Sequence, residues 1–203
     1  MTNASRYIFL FDLDSTVTKE EILPTISKRL GIFEQMSLLT ESTMKGEIPF
    51  KQSFLQRVEL LKDIPVSDVC RLVSEILLNE KVVDFIQNNK ERCYIVTGNL
   101  DIWIKGLIEK IGMESHTFCS SALVKDDHLQ DVISIVDKNA VVSQMILPFV
   151  AVGDGNNDAE MIESAEIGIG YGGVRSIAPS ILSCASHAVY DEEKLVEFLE
   201  RLL

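Results

Sequence analysis

Asp12 and Asp14 stand two positions apart at the end of the apolar run Tyr7-Ile8-Phe9-Leu10-Phe11. On extended backbone, side chains two apart share a direction, so both carboxylates can face one site while Leu13 turns inward. Two carboxylates held close after an apolar run are costly unless a cation or a proton compensates them. A second apolar run, residues 93–96, leads into Thr97-Gly98-Asn99, which offers a hydroxyl and backbone N–H groups where a glycine admits a phosphate oxygen. A third, residues 149–152, leads into Gly153-Asp154-Gly155-Asn156-Asn157-Asp158 and adds two carboxylates on a glycine-flexed loop. Lys138, opening a helical stretch that holds Val141, Val142 and Met145, is a candidate cation for the same site.

Together these residues supply hard oxygen ligands for Mg2+, a lysine and a hydroxyl for phosphate, and two aspartates for covalent and acid-base work. Phosphoryl transfer asks for little else, because its catalysis is mostly positioning and charge stabilisation.

Something must bring the pieces together. In open α/β sheets, ligands bind outside the carboxyl ends of the strands, and each piece follows a short apolar run of the kind that forms a strand buried on both faces. Weaker runs at residues 167–169 and 188–190 extend the series. Helical stretches lie between them, at residues 101–111 closed by Gly112 and at residues 192–203 with Leu195, Val196, Leu199 and Leu202 on one face. The alternation predicts an α/β core with a doubly wound, mostly parallel, Rossmann-like sheet.

Residues 19–79 break the rhythm. Helical spacing dominates there, in Ile22, Ile26 and Leu30, then Met36, Leu39 and Met44, then Phe50, Phe54, Val58 and Leu61, then Val69, Leu72, Val73 and Ile76. Gly31, Gly46 through Pro49, and Ile64-Pro65 separate the groups, with Ser67 as an N-cap for the last. The pattern predicts a small α-helical bundle cap inserted after the first strand, residues 18–79, over a core of residues 1–17 and 80–203. Residues 122–129 read as a small hairpin.

Composition narrows the function classes. The chain has 203 residues, 46% hydrophobic and 25% charged, which suits a globular fold, and no apolar stretch is long enough for a membrane span. A formal net charge of −12 argues against nucleic acid, which is bound by clustered Lys and Arg. Cys70, Cys93, Cys119 and Cys184 form no CxxC pair, and the N-terminus lacks the cationic start and cleavage site of a signal peptide. These features lead us to expect a cytoplasmic protein with no nucleic-acid or membrane partner, and they fix no oligomeric state.

The four pieces resemble, in order, the motifs of the haloacid dehalogenase superfamily: DxDxT at Asp12 to Thr16, Ser/Thr at Thr97, Lys at Lys138 and GDGxxD at Gly153 to Asp158. Within it the chain is most similar to the phosphoserine phosphatase family, through Asp12-Leu13-Asp14-Ser15-Thr16-Val17, Glu21, Met44-Lys45-Gly46, Phe50, Ser53, Arg57 and Leu60 through Asp63. The resemblance implies a Mg2+-dependent phosphomonoester hydrolase that acts on a small phosphorylated metabolite, O-phosphoserine first, through an aspartyl-phosphate. It implies Asp12 as nucleophile and metal ligand, and Asp14 as acid and base with its carbonyl on the metal. Asp154 would complete the protein's metal ligands, with Asp158 behind them. Thr97, Gly98 and Lys138 would hold the phosphoryl group. Glu21 would meet an ammonium and Arg57 a carboxylate, while Met44, Phe50 and Asn157 line the pocket.

The second motif departs from the family's Ser-Gly-Gly-Phe, because Asn99 adds a side chain where a substrate carboxylate should approach. That keeps open a phosphatase or phosphotransferase for another small phosphometabolite. A phospho-receiver domain, which also joins acidic residues, a Thr and a Lys, fits the DxD spacing and the helical insertion less well.

Overall fold

The apolar runs pair as strands because burying both faces leaves the backbone no partner but another strand. In the computed structural model, which describes residues 7–203, they form one seven-stranded sheet. The strands are β1 (Ile8–Phe11), β2 (Cys93–Leu100), β3 (Thr117–Lys125), β4 (His128–Ser134), β5 (Phe149–Gly153), β6 (Ile167–Tyr171) and β7 (His187–Val189). They lie in the order β4-β3-β2-β1-β5-β6-β7, parallel except for the β3–β4 hairpin. Residues 1–6, on which the expectation about a signal peptide rests, lie outside the described residues.

Among the described residues ten α-helices accompany the sheet: α1 (Ile22–Leu30), α2 (Phe33–Met44), α3 (Phe50–Leu61), α4 (Val66–Ser74), α5 (Glu80–Asn88), α6 (Asp101–Ile111), α7 (Lys138–Val142), α8 (Ala159–Ser164), α9 (Pro179–Cys184) and α10 (Glu192–Glu200). Alternation along β1 sends Phe9 and Phe11 to one side of the sheet and Ile8 and Leu10 to the other, where two separate apolar clusters form. The mostly parallel α/β architecture matches the expected fold class. None of the helices among the described residues is long and apolar enough to cross a membrane.

Register does the positioning. Phe11 pairs with Ile95 of β2 and with Val152 of β5, so β1 and β5 end within a residue of each other, whereas β2 does not stop at residue 96 as expected but runs on to Leu100, with Thr97 inside it. Asp12, Thr97 and Asp154 are nonetheless carried to one edge of the sheet.

Helices α1–α4 fall where the periodicity predicts helices, with Ile22, Leu23 and Ile26 of α1, Met36 of α2, Phe54, Val58 and Leu61 of α3, and Val69, Leu72 and Val73 of α4 turned inward. Gly31 closes α1 in the left-handed conformation (φ 73°), which glycine adopts without a Cβ penalty. The two chain passages between this segment and the sheet are tied together. Thr18 bridges Leu78, and Asn79 donates to the carbonyls of Val17 (2.9 Å) and Thr16 (2.8 Å).

Three local expectations are corrected. The backbone after Asp12 does not stay extended: Leu13–Val17 is a π-type turn in which Ser15 takes φ 55°. Leu13 is nevertheless buried, and Asp14 still faces the same site as Asp12. The hairpin is larger than residues 122–129, because β3 starts at Thr117 and first pairs parallel with β2. Its half-buried, mixed-polarity residues give no clean period. Ser67 does not cap α4, whose first residue is Val66. Instead its N–H and hydroxyl donate to the Asp127 carboxylate at 3.0 and 2.5 Å, tying α4 to the hairpin turn.

Candidate active site

Asp12 leaves β1 with its N–H donated to the Val152 carbonyl (2.9 Å), and only 4% of the residue is exposed. One carboxylate oxygen, Oδ1, accepts from Lys138 Nζ at 2.5 Å, and the same ammonium reaches Asp158 Oδ1 at 2.5 Å. Lys138 sits on the first turn of α7, which Asp137 caps by accepting from the N–H groups of Asn139 (2.9 Å) and Ala140 (3.2 Å). Asp158 uses its second oxygen to accept from the Asp154 and Gly155 N–H groups at 3.1 and 2.9 Å, folding the loop after β5 upon itself. Gly153 is required there, since a Cβ would come within 2.7 Å of the Asp158 carboxyl.

Oxygens of Asp12, Asp154 and Asp158 lie within 4.8 Å of one another, all three residues buried. Burial pushes the Asp12 carboxyl up to about 7, with Asp158 adding to the rise and Lys138 opposing it. Asp154 is raised well above its ordinary value, again by burial first and then by Asp12 and Asp158. Burial works against the Lys138 charge, but the two carboxylates outweigh it and hold the ammonium above its usual range. Asp154 Oδ1 is buried and makes no hydrogen bond. An orphaned hard oxygen among crowded carboxylates is what a divalent cation would satisfy, so the residues present fit one. Both Asp158 oxygens are already engaged, which suits a supporting place beside the ion rather than on it.

Asp14 is half-buried, with Oδ1 accepting from the Ile22 N–H (2.8 Å) and Oδ2 accepting from the Asn99 amide. Asn99 also donates to Thr97 Oγ1 from its side chain (3.1 Å) and its backbone (3.2 Å). The residue that departs from the family motif thus joins Asp14 to Thr97.

Above this buried layer lies a pocket that Asp12, Asp14, Glu21, Met44, Phe50, Arg57, Gly98 and Asn157 line, whereas Thr97, Lys138, Asp154 and Asp158 lie beneath its surface. The Phe50 ring rests against Gly98, where any Cβ would overlap it, and stacks on Phe54 at 5.7 Å. Arg57 is buried in α3 with its guanidinium 5.9 Å from the Phe50 ring. Burial lowers its pKa while Asp14 opposes that. Asn156 donates to the carbonyls of Thr43 (2.8 Å) and Met44 (2.7 Å), fastening the end of α2 to the loop after β5.

Sequence reasoning missed Arg175. It lies between β6 and α9, lines the pocket, and pairs with both Glu21 and Asp154 Oδ2. Its signal was positional: it follows β6 at the same strand-end edge as the other pieces, behind Gly172 and Gly173.

The sequence model of haloacid dehalogenase-like hydrolases matches residues 8–166. The chain is 32% identical to a phosphoserine phosphatase of Methanocaldococcus jannaschii, over 81% of this chain and 84% of that one. It is also 32% identical to one of Archaeoglobus fulgidus, over 96% of this chain, and spans 59% of that relative's length. Among solved structures, a substrate-bound phosphoserine phosphatase superposes with a TM-score of 0.82 at 26% identity, covering 97% of this chain and 99% of that one. A phospho-aspartyl intermediate analogue of a phosphoserine phosphatase gives 0.80 at 28% identity, covering 96% and 99%.

Proposed function

Because the chain belongs to the haloacid dehalogenase-like hydrolases, we propose that it hydrolyses small phosphomonoesters, O-phosphoserine among them, through a phosphorylated Asp12. The observation that carries this reading is Asp12 at the pocket floor, held by Lys138 among the carboxylates of Asp154 and Asp158. Relatives that are phosphoserine phosphatases, and the phospho-aspartyl analogue among the structural neighbours, support it.

In the first half-reaction a carboxylate oxygen of Asp12 attacks phosphorus as the ester P–O bond breaks, and Asp14 gives the departing oxygen its proton. In the second, Asp14 takes a proton from water, the hydroxide attacks phosphorus, and the acyl-phosphate P–O bond breaks to return Asp12 and inorganic phosphate. Lys138 fixes the other Asp12 oxygen and places a positive charge beside the transferring group, while Thr97 and the Gly98 backbone offer donors to its oxygens. We assign the cation as Mg2+, held by Asp12, Asp154 and the Asp14 carbonyl with Asp158 in support. When bound, it would neutralise charge on the phosphoryl oxygens.

We further assign residues 18–79 as a cap over a core of residues 1–17 and 80–203, with Met44, Phe50 and Arg57 brought to the pocket from it. Four free thiols, with Cys93 pushed up to about 12 by burial, support a reducing cytoplasm as its place of work. The test is phosphate release from O-phosphoserine and a panel of sugar, choline and nucleoside monophosphates, with and without MgCl2. Multiple turnover on a small ester that EDTA abolishes is expected. No release from any ester overturns the reading.

A further inference from the structure

Two guanidinium groups line the pocket, Arg57 from α3 and Arg175 from the loop between β6 and α9. They are not equivalent. Arg175 is engaged twice, by Glu21 and by Asp154 Oδ2. Arg57 is 8% exposed and has no ion-pair partner among the described residues, and its Nε makes no hydrogen bond. A buried, uncommitted guanidinium is a waiting receptor for an anion, and its planar fork matches a carboxylate.

Glu21 is the opposite case. Apart from Asp12 and Asp14 it is the one carboxylate that lines the pocket among the described residues, and it is ion-paired with Arg175, although its Oε1 makes no hydrogen bond. Arg175 is held beside Glu21 by its pairing with Asp154. Its loop is held where the Ala178 N–H donates to the Asp154 carbonyl (2.8 Å), and its guanidinium lies 3.3 Å from the place a Cβ on Gly155 would take. An ammonium arriving at Glu21 therefore meets a carboxylate that already has a positive group beside it.

We propose that Arg175 is a specificity-determining residue: by pairing with Glu21 it makes a substrate ammonium dispensable, so that the pocket selects phosphate esters of small hydroxy acids by the carboxylate they present to Arg57. O-phosphoserine is then one acceptable member of a wider class. The inference rests on the phosphatase reading of the same site.

Three esters of similar size separate the charges: O-phospho-L-serine, the phosphate ester of 3-hydroxypropanoate, which lacks the amino group, and phosphoethanolamine, which lacks the carboxylate. With the full chain and MgCl2, kcat/KM for the first two is expected to agree within about 3-fold, with phosphoethanolamine about 100-fold lower. In Arg175→Met, Glu21 is released, and the ratio of phosphoserine to the desamino ester should rise about 10-fold, mainly through KM. Arg175→Lys, which keeps the charge, should hold the wild-type ratio. Ratios within one variant cancel any loss common to both esters, including weaker cation binding. A wild-type preference for phosphoserine of about 10-fold or more, or a ratio that Arg175→Met leaves unchanged, overturns the inference and leaves the phosphatase reading standing. Release from none of the three esters or the wider panel defeats that reading, and the inference with it.

Discussion

Without a divalent cation, the protein should lose stability as the pH rises from 5 towards 8, the reverse of ordinary acid denaturation. The cause is Asp12, whose carboxyl is pushed from 3.8 to about 7 by burial, then by Asp158. A group whose pKa is raised on folding binds a proton more tightly in the native state. Its contribution is therefore complete below the unfolded value and is lost as pH climbs through the folded one. Each pH unit well inside that window costs about 1.4 kcal/mol per proton, and less as the folded value is approached, so raising the pH from 5 to 7 removes roughly 2 kcal/mol. For a chain of this size that is a fall of about 4–8 °C in Tm. Asp154, also raised, slopes the same way. Lys138 does not interfere, because a raised lysine keeps its contribution throughout this range. Differential scanning calorimetry in EDTA at pH 5, 6, 7 and 8 measures the slope. Saturating MgCl2 should flatten it by binding the native state, and Asp12→Asn should reduce it in EDTA. A Tm that stays level or rises between pH 5 and 7 in EDTA would refute the burial argument.

Two further perturbations test other parts of the account. Lys138→Met leaves the Asp12 and Asp158 carboxylates without their shared ammonium. Urea unfolding in EDTA should show a loss of about 3–5 kcal/mol, and kcat with MgCl2 should fall roughly 100-fold or more, since a charge beside the phosphoryl group goes with it. Near-wild-type turnover would remove Lys138 from the mechanism. Gly98→Ala sets a methyl into the Phe50 ring, which should cost about 1–3 kcal/mol in thermal unfolding through overpacking. It should also raise KM, because Phe50 must back away from the pocket floor. An unchanged KM would show that the Phe50 contact plays no part in binding.

What could be read from the sequence follows from what burial demands. The central strands announce themselves because both faces must be apolar, and that alone places Asp12 and Asp154 at strand ends, although β2 runs past Thr97 to Leu100. The gathering of those ends at one level depends on register, set by pairings such as Phe11 with Ile95 and Val152, which no local pattern encodes. The first part of β3, before the hairpin arm at residue 122, was hidden because its residues are mostly half-buried and mixed in polarity. Asn99 was visible as a departure, yet its partner Asp14 lies on another strand's turn. Arg175 belongs to no repeating pattern, and only the folded loop reveals that it answers Glu21.

The central claim is that Asp12 carries the phosphoryl group, and the direct measurement is to catch it there. The protein is quenched in acid during steady turnover of its best ester with MgCl2, reduced with borohydride and mapped by mass spectrometry. An acyl phosphate at Asp12 should appear as homoserine at position 12, and should vanish in Asp12→Asn together with turnover. Active enzyme with no reduction at position 12, or with homoserine at another aspartate, would contradict the account.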